Sequence, residues 1–137
     1  MATEEPSTLQ VEIVSPEREL WAGSGEMVIA RTVDGEIGIQ PGHIPTLAVL
    51  APSGVVRVLM GRESGEVTVF VHSGFLSVSE DNRVSVMAEV AEMGEEIDTE
   101  RARRALEESS SAGLSDPEEL ARADRARGRL RAAGELV

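Results

Sequence analysis

The feature that most limits how this chain can fold is an alternation of apolar and polar residues that recurs through residues 9–88. Leu9, Val11 and Ile13 alternate with Gln10 and Glu12, as expected for a strand with one buried face. Gly, Pro, Ser and Asn residues separate this segment from others of similar length. Residues 67–72 and 83–86 are further segments of this kind, whereas residues 27–33 and 55–60 are apolar on both faces apart from Arg31 and Arg57. Several short strands at this spacing predict an antiparallel β-sandwich or barrel.

Helical spacing replaces this alternation after residue 89. Residues 98–112 predict a helix that begins at Asp98 as its N-cap and is apolar along one side. A second helix is predicted from the capping-box pattern Ser115-Asp116-Pro117-Glu118 to a stop at Gly134. Its predicted apolar stripe is Leu120, Ala123, Ala126 or Arg127, Leu130 and Ala133. The apolar side of both helices is mostly alanine, so the pair can bury little apolar area. We therefore predict an antiparallel hairpin that is weakly held and able to detach and dock again.

The charged residues exclude several classes of function. The net charge is −12, all 13 basic residues are arginine, and there is no cysteine. The negative sign argues against binding of nucleic acid, and the lack of cysteine excludes disulfides and thiol chemistry. Residues 101–137 differ from the rest, since they carry eight Arg against seven acids. No run approaches the roughly 18 apolar residues of a membrane span, so we expect membrane contact only through a partner.

Residues 34–45 form a distinctive segment in which three glycines and two prolines alternate with apolar residues. Because strand interiors tolerate Gly and Pro poorly, this composition predicts a contoured turn. Glu36, His43 and Ile44 would be held on that turn by a stiff scaffold. We interpret the turn as a surface that contacts a partner.

The remaining candidate residues give little support to an enzyme. His43 could be a base, a metal ligand or a contact residue, but no cluster of Asp, His or Cys accompanies it. The acids of residues 89–98 could hold a cation, although a solvated linker explains them more simply. There is no nucleophile-elbow pattern and no Lys for a phosphate-binding loop. The arginines of the second helix form either a solvated face or a surface for an acidic partner or a phosphate group.

Several spaced motifs follow one another in a distinctive order. They are Val11-Glu12-Ile13-Val14-Ser15-Pro16-Glu17, Leu20-Trp21, Gly23, Gly35-Glu36-Ile37-Gly38-Ile39, Pro41-Gly42-His43, Pro45, Gly74-Phe75-Leu76 and Val84-Ser85-Val86-Met87-Ala88-Glu89. In this order the motifs resemble one known family, the epsilon subunit of bacterial rotary (F-type) ATP synthases, and the resemblance covers residues 8–134.

The resemblance implies an α+β fold and a non-catalytic rotor subunit of the proton-translocating enzyme. Residues 1–89 would form a ten-stranded antiparallel β-sandwich that binds the gamma subunit and the membrane c-ring. Residues 90–137 would form a linker and a regulatory two-helix antiparallel hairpin. Glu36, His43, Ile44 and Leu47 would face the c-ring. The protein would lie peripherally on the cytoplasmic face of the bacterial cell membrane.

The resemblance also implies regulation by the hairpin, which in its extended state would inhibit ATP hydrolysis through the catalytic beta subunits. The basic residues that would reach them are Arg122, Arg125, Arg127, Arg129 and Arg131. No cofactor is required, but ATP is a possible regulatory ligand that favours the compact hairpin. The residues that match the ATP-binding pattern are Glu92, Ile97, Asp98, Arg101 and Ala102. Glu107 and Glu108 depart from that pattern, so a plain capping role for Asp98 is an equally good interpretation. The alternative function is a stand-alone nucleotide-binding regulatory module, and an enzyme with a new site ranks third.

Overall fold

A computed structural model describes residues 8–61, 65–111 and 116–135 of the chain. Eight strands precede a short 3₁₀ turn, Gly94–Glu96, and two helices. The strands are β1 (Leu9–Val14), β2 (Glu19–Gly25), β3 (Met27–Thr32), β4 (Gly35–Ile39), β5 (Thr46–Val49), β6 (Gly54–Leu59), β7 (Glu66–Val78) and β8 (Arg83–Met93). The helices are α1 (Thr99–Ser111) and α2 (Pro117–Ala132).

The strands form a mixed β-sheet, which corrects the prediction of ten antiparallel strands. Within the described residues the order is β2-β1-β8-β7-β6-β3-β4, with β5 paired to β7. β1 is antiparallel to β2 but parallel to β8. The alternation along each strand indicates which side chains are buried, but it carries no signal for the neighbour that a strand selects far along the sequence. The parallel pairing of the first and last strands was therefore missed.

A kink in the middle of β7 allows this one strand to pair with two others. Its first half pairs with β6, and its second half pairs with β5. Ser73 and Gly74 lie between the halves with φ of 56° and 140°, in the region that favours glycine. A Cβ atom at Gly74 would overlap the backbone of Met87 and Ala88 on β8. The kink therefore needs glycine at this position, and it folds the sheet over on itself.

The inward faces of the strands fill one core of Val, Ile and Leu side chains, as the alternation predicts. In β1, Leu9, Val11 and Ile13 are buried while Gln10 and Glu12 are exposed. Val84 and Val86 repeat the pattern on β8. Phe70 is also fully buried, but it belongs to a second cluster with Ile97 and Ala132.

Helices α1 and α2 form the predicted antiparallel hairpin. Asp98 caps α1 by accepting a hydrogen bond from the Arg101 N–H (3.0 Å), and Asp116 caps α2 by accepting one from the Glu118 N–H (3.0 Å). The predicted stop at Gly134 is confirmed, since its φ is 87° and the Glu135 N–H bonds back to the Leu130 carbonyl. The predicted link between the helices includes residues 112–115, which lie outside the described residues.

The hairpin docks on the sandwich through a small contact made by the last turns of α2. Phe70 on β7 is fully buried beneath Gly128 and Ala132. The Thr68 hydroxyl donates a hydrogen bond to the Ala132 carbonyl at 2.6 Å, which satisfies one of the orphan carbonyls at the end of α2. Two large apolar side chains, Phe70 and Ile97, supply most of the apolar burial, about 1.5–3 kcal/mol each. This contact is small, as the alanine-rich helices predict.

Candidate functional site

The four residues predicted to face a ring-shaped partner lie on one arm of the fold, formed by β4, β5 and the loop between them. His43 and Ile44 are in the loop, and Leu47 is the second residue of β5. Ile44 is 74% exposed and Leu47 is 71% exposed, so two large apolar side chains face solvent at this end. Glu36 is exposed near the other end of β4, about 10 Å of strand away from the loop. The structure therefore brings three of the four residues to one end and leaves Glu36 farther along the edge.

A row of apolar side chains crosses the outer face of four strands. Val49 on β5 pairs with Phe75 on β7, Phe75 pairs with Met87 on β8, and Met87 pairs with Val14 on β1. Val49, Phe75 and Met87 are exposed. A shallow depression of about 650 Å³ follows the row, and Val33, Pro16 and Pro52 line its rim. Exposed apolar surface of this extent on an ordered sheet is typical of a protein interface.

A polar cleft of about 700 Å³ lies between the two helices and the linker. Two of its arginines already have carboxylate partners: Arg129 Nε lies 2.8 Å from Glu92 Oε1, and Arg122 lies 2.7 Å from Glu108. For the remaining three no ion pair is found within the described residues. They are Arg101, Arg104 and Arg125.

The residues that match the ATP-binding pattern lie at this cleft or beside it. Glu92, Asp98, Arg101 and Ala102 line it, whereas Ile97 is buried in the cluster with Phe70. Asp98 Oδ1 accepts a hydrogen bond from the Arg101 N–H, so this carboxylate already serves as a helix cap. The arrangement places five arginines and four carboxylates around a cavity of the size that ligands occupy.

The five arginines of α2 do not share one environment. Arg127 pairs with Asp124 on its own helix at 3.4 Å, and the guanidinium of Arg129 lies 4.7 Å above the centre of the Phe70 ring. Arg131 is exposed beside the end of the helix. Three of the five, including Arg122, therefore form ion pairs inside the docked molecule.

Other candidate sites receive no support from the geometry. His72 lies on β7, and its Nδ1 atom is 3.4 Å from the hydroxyl of Ser53, which immediately precedes β6. No group of His, Asp and Glu residues in the described ranges is arranged to hold a metal ion. Within the same ranges, neither helix is long and apolar enough to cross a bilayer.

Comparison with known proteins decides the family. A family model described as the β-sandwich domain of the ATP synthase delta/epsilon chain matches residues 8–94. The ATP synthase epsilon chain of Thermobifida fusca is 66% identical over 125 residues, which cover 91% of each chain. The chain belongs to the ATP synthase epsilon-chain family. The epsilon chain of Streptomyces coelicolor is 45% identical over 125 residues, covering 91% of this chain and 94% of that one. The resemblance drawn from the sequence motifs is confirmed.

Solved structures support the epsilon-chain fold. A chain of the Euglena gracilis mitochondrial ATP synthase, solved by cryo-EM with OSCP, F1 and c-ring, superposes with a TM-score of 0.71 at 23% identity. The match covers 96% of this chain and 82% of that one. A chain of the Tetrahymena thermophila central stalk and c-ring gives a TM-score of 0.60 at 19% identity, covering 95% and 98%. At these identities the similarity concerns the fold.

Sequence reasoning missed the apolar row, although a signal for it was present. Phe75 and Met87 are out of phase with the buried Leu76 and Val86, so both faces of β7 and β8 are apolar at this point. A strand that is apolar on both faces has either a covering element or an interface on its outer face. The motif Gly74-Phe75-Leu76 indicates the family, and the exposed Phe75 ring next to the buried Leu76 is the signal for this surface.

Proposed function

We propose that this epsilon chain is a non-catalytic subunit of the central stalk, which couples the gamma subunit to the c-ring during proton-driven rotation. The observation that carries this proposal is the apolar row across the sheet of this chain, which belongs to the epsilon-chain family. The row consists of Val14, Met87, Phe75 and Val49. The central-stalk and c-ring assemblies of its structural neighbours are consistent with these partners. In this role the protein is peripheral on the cytoplasmic face of the cell membrane.

The gamma subunit docks on the apolar row. Phe75 and Met87 lie at its centre, and the only acid in the lining of the depression is Glu89. Interface centres are typically apolar, aromatic-rich and poor in charge, which matches this surface. The row spans four hydrogen-bonded strands, so the side chains sit on a rigid base that can transmit torque.

The c-ring contacts the loop between β4 and β5, with His43, Ile44 and Leu47 at the contact and Glu36 at its edge. Ile44 and Leu47 are the two most exposed large apolar side chains among the described residues. Their exposure on an ordered loop is explained if a partner covers them in the assembled enzyme.

A binding assay with purified gamma subunit tests the docking proposal. Phe75→Asp combined with Met87→Asp should weaken binding roughly tenfold or more, because two charges enter the centre of the interface. Ala22→Asp adds a charge on the exposed part of β2 and should leave binding unchanged. Wild-type affinity in the double variant, with an intact circular-dichroism spectrum, would exclude this surface as the docking site.

The hairpin restrains ATP hydrolysis when it leaves the sandwich and extends toward the catalytic beta subunits. Support comes from the small docking contact and from the ion pair of Arg129 with Glu92, which joins α2 to β8 and occupies this guanidinium group in the docked state. On release, this group becomes available to acidic side chains of another subunit. Exposed ion pairs contribute little each, so the docked state is only modestly favoured.

Truncation after Met93 tests the inhibitory role, because it removes the hairpin and retains the whole of β8. Complexes with the truncated chain should assemble, remain coupled and hydrolyse ATP faster than the wild type. A second variant, Arg125→Gln with Arg131→Gln, keeps the hairpin and removes only charge. Unchanged hydrolysis in the truncated complex would contradict inhibition, whereas an effect of truncation alone would assign it to parts of the hairpin other than Arg125 and Arg131.

ATP is proposed as a regulatory ligand of the cleft between the helices, where Arg101, Arg104 and Arg125 would neutralise phosphate charge. Glu92 and Asp98 would accept hydrogen bonds from the ribose or the adenine. Calorimetric titration with ATP of the wild type and of Arg101→Ala decides the point. Heat that is lost in the variant supports binding, while equal heats or no heat from either protein would leave Asp98 with its capping role alone.

A further inference from the structure

The loop between β4 and β5 (residues 40–45), termed here the contact loop, is held mainly by bonds inside itself. The His43 N–H donates to the Gln40 carbonyl at 3.1 Å, and His43 Nδ1 lies 2.8 Å from the Ile44 carbonyl. The Thr46 hydroxyl donates to the same carbonyl at 2.9 Å. These bonds shape the contact loop, but they do not fix its orientation relative to the sandwich.

Of the hydrogen bonds found for the contact loop among the described residues, one leads to a distant part of the fold. The Gly42 N–H donates to Asn82 Oδ1 at 2.8 Å, across 40 positions of sequence. Gly42 has a φ of 88°, so its backbone turns here in a conformation that suits glycine. The tip of the contact loop is therefore fastened to the turn that joins β7 and β8.

Asn82 is itself held firmly enough to serve as an anchor. Its φ is 61°, in the left-handed region that Asn adopts more readily than most residues. Its carbonyl accepts a hydrogen bond from the Gln10 N–H of β1 at 2.9 Å. The neighbouring Asp81 accepts hydrogen bonds from the Ser79 hydroxyl and from Arg83 Nε, and the pKa of Asp81 is lowered chiefly by the bond from Ser79. The backbone of Asn82 is thus tied to β1 through its own carbonyl, whereas the bonds of Asp81 lie within the turn and the first residue of β8.

We infer that Asn82 is a positioning residue for the contact loop, which it holds in the orientation that presents His43 and Ile44 to the partner. The inference rests on the proposed contact between this loop and the c-ring. A loop that transmits torque must keep a fixed orientation relative to β4 and β5. If the loop rotated freely about its ends, it would move with the partner and transmit no torque to the sandwich. An oriented loop also loses less conformational entropy on binding.

Two substitutions of Asn82 and one of Asp81 separate positioning from general stability. Asn82→Gly keeps the left-handed backbone without strain and removes the acceptor. Asn82→Asp keeps an acceptor oxygen at the same place, so it should restore wild-type behaviour. Asp81→Ala is the matched control, because it loosens the turn through Ser79 and Arg83 but leaves Asn82 Oδ1 intact.

Amide hydrogen exchange in the full-length isolated chain measures the bond directly. In Asn82→Gly the Gly42 N–H should exchange about tenfold faster, the ratio expected for losing one hydrogen bond of ordinary strength. The rate should stay at the wild-type value in Asn82→Asp and Asp81→Ala, and the amides of Val84 and Val86 should report an intact sheet in all variants. Unchanged Gly42 exchange in Asn82→Gly, or equal acceleration in Asp81→Ala, would overturn the inference.

Assembled ATP synthase carrying the same variants measures the consequence. Asn82→Gly should lose proton-driven ATP synthesis while retaining ATP hydrolysis, and Asn82→Asp should retain both. Full coupling in Asn82→Gly despite fast Gly42 exchange would contradict the positioning role. Full coupling also in variants of Ile44 and His43 would instead contradict the proposed c-ring contact, so the two failures can be distinguished.

Discussion

At the scale of single residues, Gly128 shows how a local cost can serve docking. A glycine in a helix interior costs about 1 kcal/mol relative to alanine, so its position in the middle of α2 looks unfavourable from the sequence. In the structure, a Cβ atom at this position would lie 2.8 Å from Cε1 and 3.0 Å from Cδ1 of Phe70. The glycine therefore allows the helix backbone to approach the aromatic ring, beside the guanidinium of Arg129.

Gly128→Ala should shift the hairpin away from the sandwich even though alanine favours the helix. The overlap with the fully buried Phe70 opposes docking, whereas the roughly 1 kcal/mol gain in helix propensity is present in both docked and released states. Because the chain has no native cysteine, spin labels can be attached at Glu118 on α2 and Ser24 on β2, and their distance distribution measured. Longer distances are expected. Ala121→Gly, on the exposed side of α2, should weaken the helix and leave the docked distance in place.

At the scale of secondary-structure elements, the sequence predicts the type of each element more accurately than its tertiary contacts. The alternation at Leu9–Val14 and the cap at Asp98 depend on neighbouring residues, so the sequence predicts them correctly. Alternation in residues 67–72 places Phe70 on the face of β7 opposite Val69 and Val71, and its burial under α2 depends on a helix more than 50 positions away. Leu120 was expected in the apolar stripe of α2 and is 41% exposed, because the buried side of that helix passes through Ala123, Ala126 and Leu130.

The different anchoring of hairpin and sandwich predicts two levels of local stability. The backbone amides of β1, β7 and β8 lie in the central strands of the sheet, over a core of Val, Ile and Leu. The hairpin is joined to that core by the small cluster at Phe70, so it should open without unfolding the sandwich. Native-state hydrogen exchange should therefore show α1 and α2 amides exchanging at lower denaturant than those of the three strands. If the amides of the two helices and those of the three strands show the same dependence of exchange on denaturant, the chain unfolds as a single cooperative unit.

At the scale of the whole molecule, β7 separates the proposed regulatory and coupling surfaces. The hairpin docks near its start, where Thr68 and Phe70 lie, and the contact loop lies at its other end, where Thr46 pairs with Val78. Ten residues of strand span at most about 33 Å, and the kink at Ser73 shortens that distance. The apolar row crosses the second half of the same strand. One continuous strand thus underlies all three surfaces, and the docked hairpin leaves the contact loop uncovered.

This separation predicts that coupling can be lost without a change in folding or in hairpin docking. His43→Asp with Ile44→Asp places two negative charges on the contact loop, where Ile44 is 74% exposed and contributes little to the core. Thermal unfolding should stay close to the wild type, since exposed substitutions usually change stability by within about 0.5 kcal/mol. Proton pumping driven by ATP hydrolysis, measured in membrane vesicles, should fall sharply while hydrolysis continues. Ser24→Asp on the exposed part of β2 should leave pumping intact, because that residue lies on none of the three surfaces. If the double variant pumps as well as the wild type, the contact loop does not transmit rotation, and the row across β5, β7, β8 and β1 must carry the connection without it.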